Sequence, residues 1–312
     1  MFGVNSMQTV ANPDMKDRTT LKMGGRAQLE LRVERESDWE KIPGWMEQEG
    51  LNPLVIGQGS NLLVQDGNLP LLLIRDCRQR QVEVEKLNEN RVKVVAGTGC
   101  RLPVFLSWLQ RRGVSGLEGL VGIPGCLGGA IAMNAGSFGQ EIGNVVKRVQ
   151  IWTPENGLEW VDKDSIQLGN REFDPGIKGS SWIITRVELQ LFFRDRRESL
   201  KTIKENYRRK KTTQPVTSNT CGCVFKNPDP EMSAGYLLDS CGLKGHVCGG
   251  VAFSDLHANF MINIGNGKSA EAFELISLAR ERVYNRFHMD LQPEVKVVRG
   301  QYPRDSFPTG TW

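Results

Sequence analysis

From Thr19 to Val187 the chain alternates short apolar runs with glycine-rich turns. PLVIG, RVKVVAG, VQIWT and SWIITRVELQL are short and rich in β-branched residues, which predicts strands. One helix stands out in this half. In PVFLSWLQRRG, Pro103 suits a first helical turn, Val104, Leu106 and Leu109 form an apolar side, and Gly113 suits the C-terminal cap. The pattern changes between Arg194 and Lys211, where Leu200, Ile203 and Tyr207 recur at helical spacing against a basic outer face, so a domain boundary is expected just before this stretch. Beyond Gln214 a second clear helix is predicted, capped by Ser269 and turning Phe273, Ile276, Ala279, Val283 and Phe287 inward, followed by the strand EVKVV.

Composition narrows the function classes. At 312 residues, 39% apolar and 24% charged, the chain can form two domains or one large one. A net charge of +4 with no basic stripe argues against nucleic acid and leaves an acidic small molecule open. The seven cysteines are odd in number and scattered, which reads as cytosolic thiols rather than a disulfide framework. No pair is spaced C-x-x-C and the histidines do not pair at H-x-x-x-H, so no metal site is expected. The N-terminal residues have neither a basic start nor an apolar core of signal-peptide length. The longest apolar run, Leu69 to Ile74, is too short to cross a bilayer, so a cytoplasmic protein without a membrane span is expected.

Three segments concentrate glycine beside small polar residues: Ile56 to Val64 (IGQGSNLLV), Ala96 to Pro103 (AGTGCRLP) and Val121 to Gly136 (VGIPGCLGGAIAMNAG). Glycine lets backbone approach a ligand closely and lets successive N–H groups converge on an anion, so such turns suit a pyrophosphate. None is a dinucleotide fingerprint of the G-x-G-x-x-G kind, since Gly57-Gln-Gly59 and Gly97-Thr-Gly99 lack the third glycine and the strand–turn–long-helix context. Gly267-Lys268-Ser269 imitates the end of a phosphate loop, but Ile262 stands where its first glycine should be. Singly, each glycine turn is ordinarily structural; three in one strand-rich domain favour a large dinucleotide cofactor. Similarly, the run Arg208 to Lys211 is ordinarily a solvated helix end favoured by the helix dipole, and the sharper reading is a clamp for phosphates.

In chain order, TTLKMGGRA, VIGQGSNLLV, GLEGLVGIPGCLGGAIAMNAGSFGQEI, CGCVFKNP, AGYLLDSCGLKG, HANFMINIGNGKSAEAF and LQPEVKVVRG resemble the UDP-N-acetylenolpyruvoylglucosamine reductase family over roughly residues 18 to 300. The resemblance implies an α+β protein: a two-lobed FAD-binding domain of the vanillyl-alcohol-oxidase type, then a smaller α+β substrate domain. The expected division is an N-terminal arm at 1–17, a cofactor domain at 18–193 with lobes at about 18–85 and 86–193, a substrate domain at 194–300 and a tail at 301–312. The implied reaction uses NADPH to reduce bound FAD, and then reduces the enol ether of UDP-N-acetylglucosamine enolpyruvate to UDP-N-acetylmuramate. A monomer is the expected state.

The family's motifs assign residues position by position. Its proton donor is a serine in a G-S-x-F-K-N-P block, and that place is taken here by Cys223, a thiol that is a stronger acid than an alcohol and more open to oxidation. Glu294 occupies the catalytic glutamate position of the L-x-x-E-V block. The family's arginine has no direct counterpart: counting back from Trp182 gives Phe173, so Arg171, two residues earlier, is nominated, with a turn at Asp174-Pro175-Gly176 absorbing the offset. Lys211, Gln214, Lys226 and Asn227 are expected to bind the UDP-sugar. The cofactor is expected at Gly57, Gln58, Gly59, Ser60, Asn61 and Leu62, at Gly97, at Gly122, Ile123, Pro124, Gly125, Cys126, Gly128 and Gly129, and near Asn134 and Ala135. The chain is too short for the tyrosine-bearing loop of one family subtype, so the subtype lacking it is expected. Another flavin oxidoreductase on the same fold, or a non-catalytic nucleotide-sugar binder, stays open at this point.

Overall fold

The computed structural model describes residues 7–78, 82–178, 181–229 and 231–300. The expected tail and the first six residues of the expected arm lie outside them. The described residues form six α-helices: α1 (Ile42–Glu49), α2 (Leu102–Arg111), α3 (Leu127–Ala132), α4 (Arg196–Thr213), α5 (Ala234–Ser240) and α6 (Ser269–Phe287).

The first lobe is a four-stranded sheet in the order Gln8–Ala11, Arg26–Val33, Asn68–Asp76, Asn52–Val55, antiparallel in its first pair and parallel in the other two. The second lobe is antiparallel, in the order Gly157–Asp162, Val146–Thr153, Ile183–Phe193, Arg91–Gly97, Val82–Lys86, with Val114–Ser115 also on Ile183–Phe193. Strand alternation explains which side faces in: Val187, Leu189 and Leu191 are buried, while Arg186, Glu188 and Gln190 between them are partly exposed. A third sheet, Thr220–Cys223, Phe260–Asn263, Val251–Phe253, Val247–Cys248, packs with α5 and α6 around its own core.

The regions interlock. Leu21, Met23 and Leu63 from the first lobe pack into the core of the third sheet. In return, the late strand Lys296–Val298 pairs in parallel with Leu62–Val64.

Helix α2 begins and ends where proline and glycine predict, with Pro103 in its first turn and Gly113 at φ +67° beyond its end. Its inward stripe is Leu102, Phe105, Leu106 and Leu109, at i, i+3, i+4 and i+7, so Val104 falls off the stripe and is exposed. Helix α4 sits on the second lobe mainly through polar contacts. Asp195 caps it, Ser199 donates to the Glu118 carboxylate at 2.9 Å, and Asn206 and Lys210 donate to the carbonyls of Glu118 and Val121. Ser269 is the first residue of α6 and not its cap: its hydroxyl bonds the Asp66 carboxylate at 2.9 Å and accepts from the Asp66 N–H. The sequence predicts neither α1 nor α3; α3 lies inside the third glycine segment. No helix of the described residues is long and apolar enough to cross a membrane.

Candidate active site

Two glycine loops face each other across a cavity of about 690 Å³. The first runs from Gly57 to Asn61 and the second from Val121 to Cys126. They touch directly: Ser60 Oγ donates to Pro124 O at 3.3 Å, and the Gly125 N–H donates to Gln58 Oε1 at 3.3 Å. Glycine is demanded by a positive φ at two points and favoured by crowding at a third. Gly125 has φ +115°, and a Cβ there would lie 2.7 Å from Ser60 Oγ; Gly59 has φ +56°, and its Cβ would lie 2.5 Å from Arg18 O. A Cβ on Gly57 would crowd Cys126, at 3.0 Å from its Cβ. At these glycines a side chain has little or no room, as suits a close approach of backbone to a diphosphate, and the cavity is of a size usual for cofactor sites. These residues fit an FAD.

Of the expected cofactor residues, Gly57, Gln58, Gly59, Ser60, Asn61, Gly122, Ile123, Pro124, Cys126, Gly129 and Ala135 line this cavity. Gly125 is held in the loop contact just described. Leu62, Gly97, Gly128 and Asn134 stand behind the wall. Asn134, at φ +38°, uses its amide to bond Gly143, Gly169 and Glu141, which fixes the loop rather than facing a ligand.

The chemistry-bearing side chains converge on the same cavity. Cys223 ends the strand Thr220–Cys223, which bulges where Gly222 takes φ +82°. The next residue, Val224, accepts the Glu294 N–H at 2.7 Å, and Asn61 Nδ2 donates to Glu294 O at 3.2 Å. Glu294 is therefore fixed by its main chain between the first glycine loop and the cysteine strand. Its carboxylate accepts from Arg171 Nε at 2.7 Å.

Arg171 stands at φ +61° in the turn between the short strands Gln167–Gly169 and Glu172–Asp174. Phe173, the ungapped match to the family arginine, is buried against Trp182 with ring centroids 5.5 Å apart. The structure therefore brings Arg171, Glu294 and Cys223 to one cavity, and Phe173 to the core. At the expected turn, Gly176 takes φ +75° and its N–H donates to Asp174 Oδ1 at 2.8 Å.

Electrostatics matter most at the thiol. Burial pushes Cys223 up to about 12, the Glu294 charge adds to the rise, and the Arg171 guanidinium opposes it. Cys223 therefore keeps its proton at neutral pH. Cys221, also on the cavity wall, is pushed up to about 12 by burial.

Gln214 lines the cavity, whereas Lys211 is exposed on α4 outside it. Lys210 takes the inward place: it is buried beside Gly122, its Nζ donates to Val121 O at 2.8 Å, and burial, with the Arg171 charge adding, lowers it to about 8. The sequence run of four basic residues does not reveal which one turns in; the helix phase decides it. Lys226 and Asn227 lie outside the cavity lining. Lys226 pairs with Glu172 at 3.7 Å, and Asn227 Oδ1 accepts from the Ala234 N–H at 3.0 Å. Sequence reasoning also missed Lys22 and Tyr207, both on the cavity wall. Among the described residues no group of His, Cys, Asp and Glu is placed to hold a metal.

Comparison with known proteins bears on the family and the fold. Residues 27–161 match the model of an FAD binding domain, and residues 214–298 match that of the UDP-N-acetylenolpyruvoylglucosamine reductase C-terminal domain. The UDP-N-acetylenolpyruvoylglucosamine reductase of Nitratidesulfovibrio vulgaris is 43% identical over 94% of this chain and 99% of its own length. That of Oleidesulfovibrio alaskensis is 41% identical over 92% and 97%. The crystal structure of the Thermus caldophilus UDP-N-acetylenolpyruvylglucosamine reductase superposes with a TM-score of 0.76 at 32% identity, covering 94% of this chain and 99% of that one. The two-lobed cofactor fold with a smaller α+β domain is therefore shared along nearly the whole length. This chain belongs to the UDP-N-acetylenolpyruvoylglucosamine reductase family.

Proposed function

We propose that the protein reduces UDP-N-acetylglucosamine enolpyruvate to UDP-N-acetylmuramate with NADPH as reductant and FAD as bound cofactor. This is a step of peptidoglycan precursor synthesis, carried out in the cytoplasm. The observation that carries the reading is one cavity lined by a glycine cradle, a protonated thiol and an arginine–glutamate pair, in a chain 43% identical to a named reductase over 94% of its length.

FAD, when bound, supplies the hydride taken from NADPH. The rest of the chemistry falls to the chain's own side chains. The cradle residues Gly57 to Asn61 and Val121 to Cys126 bind the cofactor largely through main-chain groups. Arg171 uses Nε on Glu294, which leaves its two terminal nitrogens for a substrate carboxylate in bidentate geometry. That carboxylate is conjugated with the carbon that gains negative charge, so holding it stabilises the charge.

Cys223 Sγ then gives its proton to that carbon. The nearby carboxylate of Glu294 disfavours early loss of the proton, and Arg171 stabilises the thiolate left behind. Residues 18–193 supply the cofactor cradle and Arg171, and 194–300 supply Cys223 and Glu294.

The test is a pair of anaerobic half-reactions. NADPH is expected to bleach the flavin, and the enolpyruvyl sugar nucleotide to restore its colour. NADPH oxidation that proceeds at the same rate without the sugar nucleotide rules the reading out.

A further inference from the structure

Among the described residues, three cations and one carboxylate line the catalytic cavity: Lys22, Arg171, Lys210 and Glu294. Arg171 is engaged with Glu294, and Lys210 with the carbonyl of Val121 in the second glycine loop. Lys22 makes no ion pair among the described residues and is exposed.

The backbone of Lys22 is unusual. It stands at φ +57°, a left-handed conformation that lysine rarely adopts and that glycine or asparagine adopts more easily. Asn263 holds it there, its Nδ2 donating to Leu21 O at 3.1 Å and to Lys22 O at 3.0 Å. Thr20 Oγ1 donates to Thr220 O at 2.6 Å on the cysteine strand, and Leu21 and Met23 on either side are buried in the core of the third sheet. Lys22 is therefore carried in the first lobe's sequence but fastened to the substrate side. A turn alone does not need a lysine here, and strained residues with side chains on a cavity wall mark ligand contacts.

We propose that Lys22 binds the diphosphate of the sugar nucleotide. The inference rests on the proposed function and supplies a cation to a site for which Lys211 faces the wrong way. The cavity wall beside it, Val216 to Thr220, offers hydroxyl and amide groups suited to the rest of a sugar nucleotide.

The experiment titrates the oxidised holoenzyme with uridine diphosphate, read by the flavin spectrum, for the wild type, Lys22→Gly and Lys22→Arg. Glycine accepts the backbone angle without strain, so Lys22→Gly is expected to melt no lower than the wild type. It is expected to bind uridine diphosphate about 10- to 100-fold more weakly, as the loss of one charge-assisted hydrogen bond implies. Lys22→Arg is expected to stay within a few-fold of the wild type, and bleaching by NADPH to be unchanged in both.

Unaltered uridine diphosphate binding by Lys22→Gly overturns the proposal. So does an equal loss in Lys22→Arg, a loss confined to NADPH bleaching, or no uridine diphosphate binding by the wild type. Turnover of the enolpyruvyl sugar nucleotide by the wild-type preparation is scored separately, so failure of the proposed reaction is distinguishable from failure of Lys22.

Discussion

The glycine loops and the chemistry-bearing side chains that share the cavity are built by opposite means. At the glycine loops the important property is the absence of side chains: Gly57, Gly59 and Gly125 matter because a Cβ would meet Cys126, Arg18 or Ser60, and because two of the three have positive φ. At the chemistry-bearing residues the functional groups themselves matter: Cys223 and Glu294 are placed through their main chains, and Arg171 through its side-chain bond to Glu294. On the proposed reaction, the glycine loops should tolerate changes of chemistry but not of shape, and the catalytic side chains the reverse. The proposed reaction also accounts for a cysteine where the resemblance places a serine: the step needs a removable proton, and both residues carry one.

Cys223 offers the most drastic test of this contrast. Cys223→Ala is expected to slow reoxidation of the flavin by the sugar nucleotide by about 10²- to 10⁴-fold, while NADPH bleaches it as before. Cys223→Ser is expected to keep much of the activity. Stopped-flow absorbance of the two half-reactions checks both, and an unchanged alanine variant removes Cys223 from the mechanism.

Arg171→Ala should cost about 10- to 100-fold in the same half-reaction. Arg148→Ala, which breaks a part-exposed pair with Glu188, should cost almost nothing; equal effects would deny Arg171 a place at the substrate.

In the glycine loops, Gly59→Ala alters no charge, yet it should destabilise the loop by about 1–3 kcal/mol and release flavin on gel filtration. Full flavin retention would show that the loop yields.

The smallest effect concerns pH. Lys210, lowered to about 8 by burial, is charged below that pH and neutral above it. FAD retention should therefore weaken a few-fold from about pH 7 to about pH 9, and Lys210→Arg should flatten the profile. A wild-type profile without this limb would separate Lys210 from the cofactor.

The sequence makes the strands, α2 and the glycine segments legible because their signals are local: β-branched runs, a proline at one end, a glycine at the other. Helix α1 is missed because Pro43 and Gly44 in IPGWMEQE read as a turn. Helix α3 is missed because Gly128 and Gly129 lower its helical propensity, which its burial outweighs. Ser269 looks like a cap because Asp66, its partner, lies 203 residues away in sequence.

The site divides the same way. Cys223 and Glu294 stand out only through the resemblance, and Arg171 only through a guess about a turn. Lys22 is invisible, because its importance comes from Asn263, 241 residues downstream, and from a backbone angle that composition does not encode.

Glu294 is bonded through its carbonyl to Asn61 and through its N–H to Val224, and the strand that follows it zips onto Leu62–Val64. That double fastening acts as a rivet through both halves of the enzyme. Loosening either bond would therefore also disturb the pair that the carboxylate makes with Arg171.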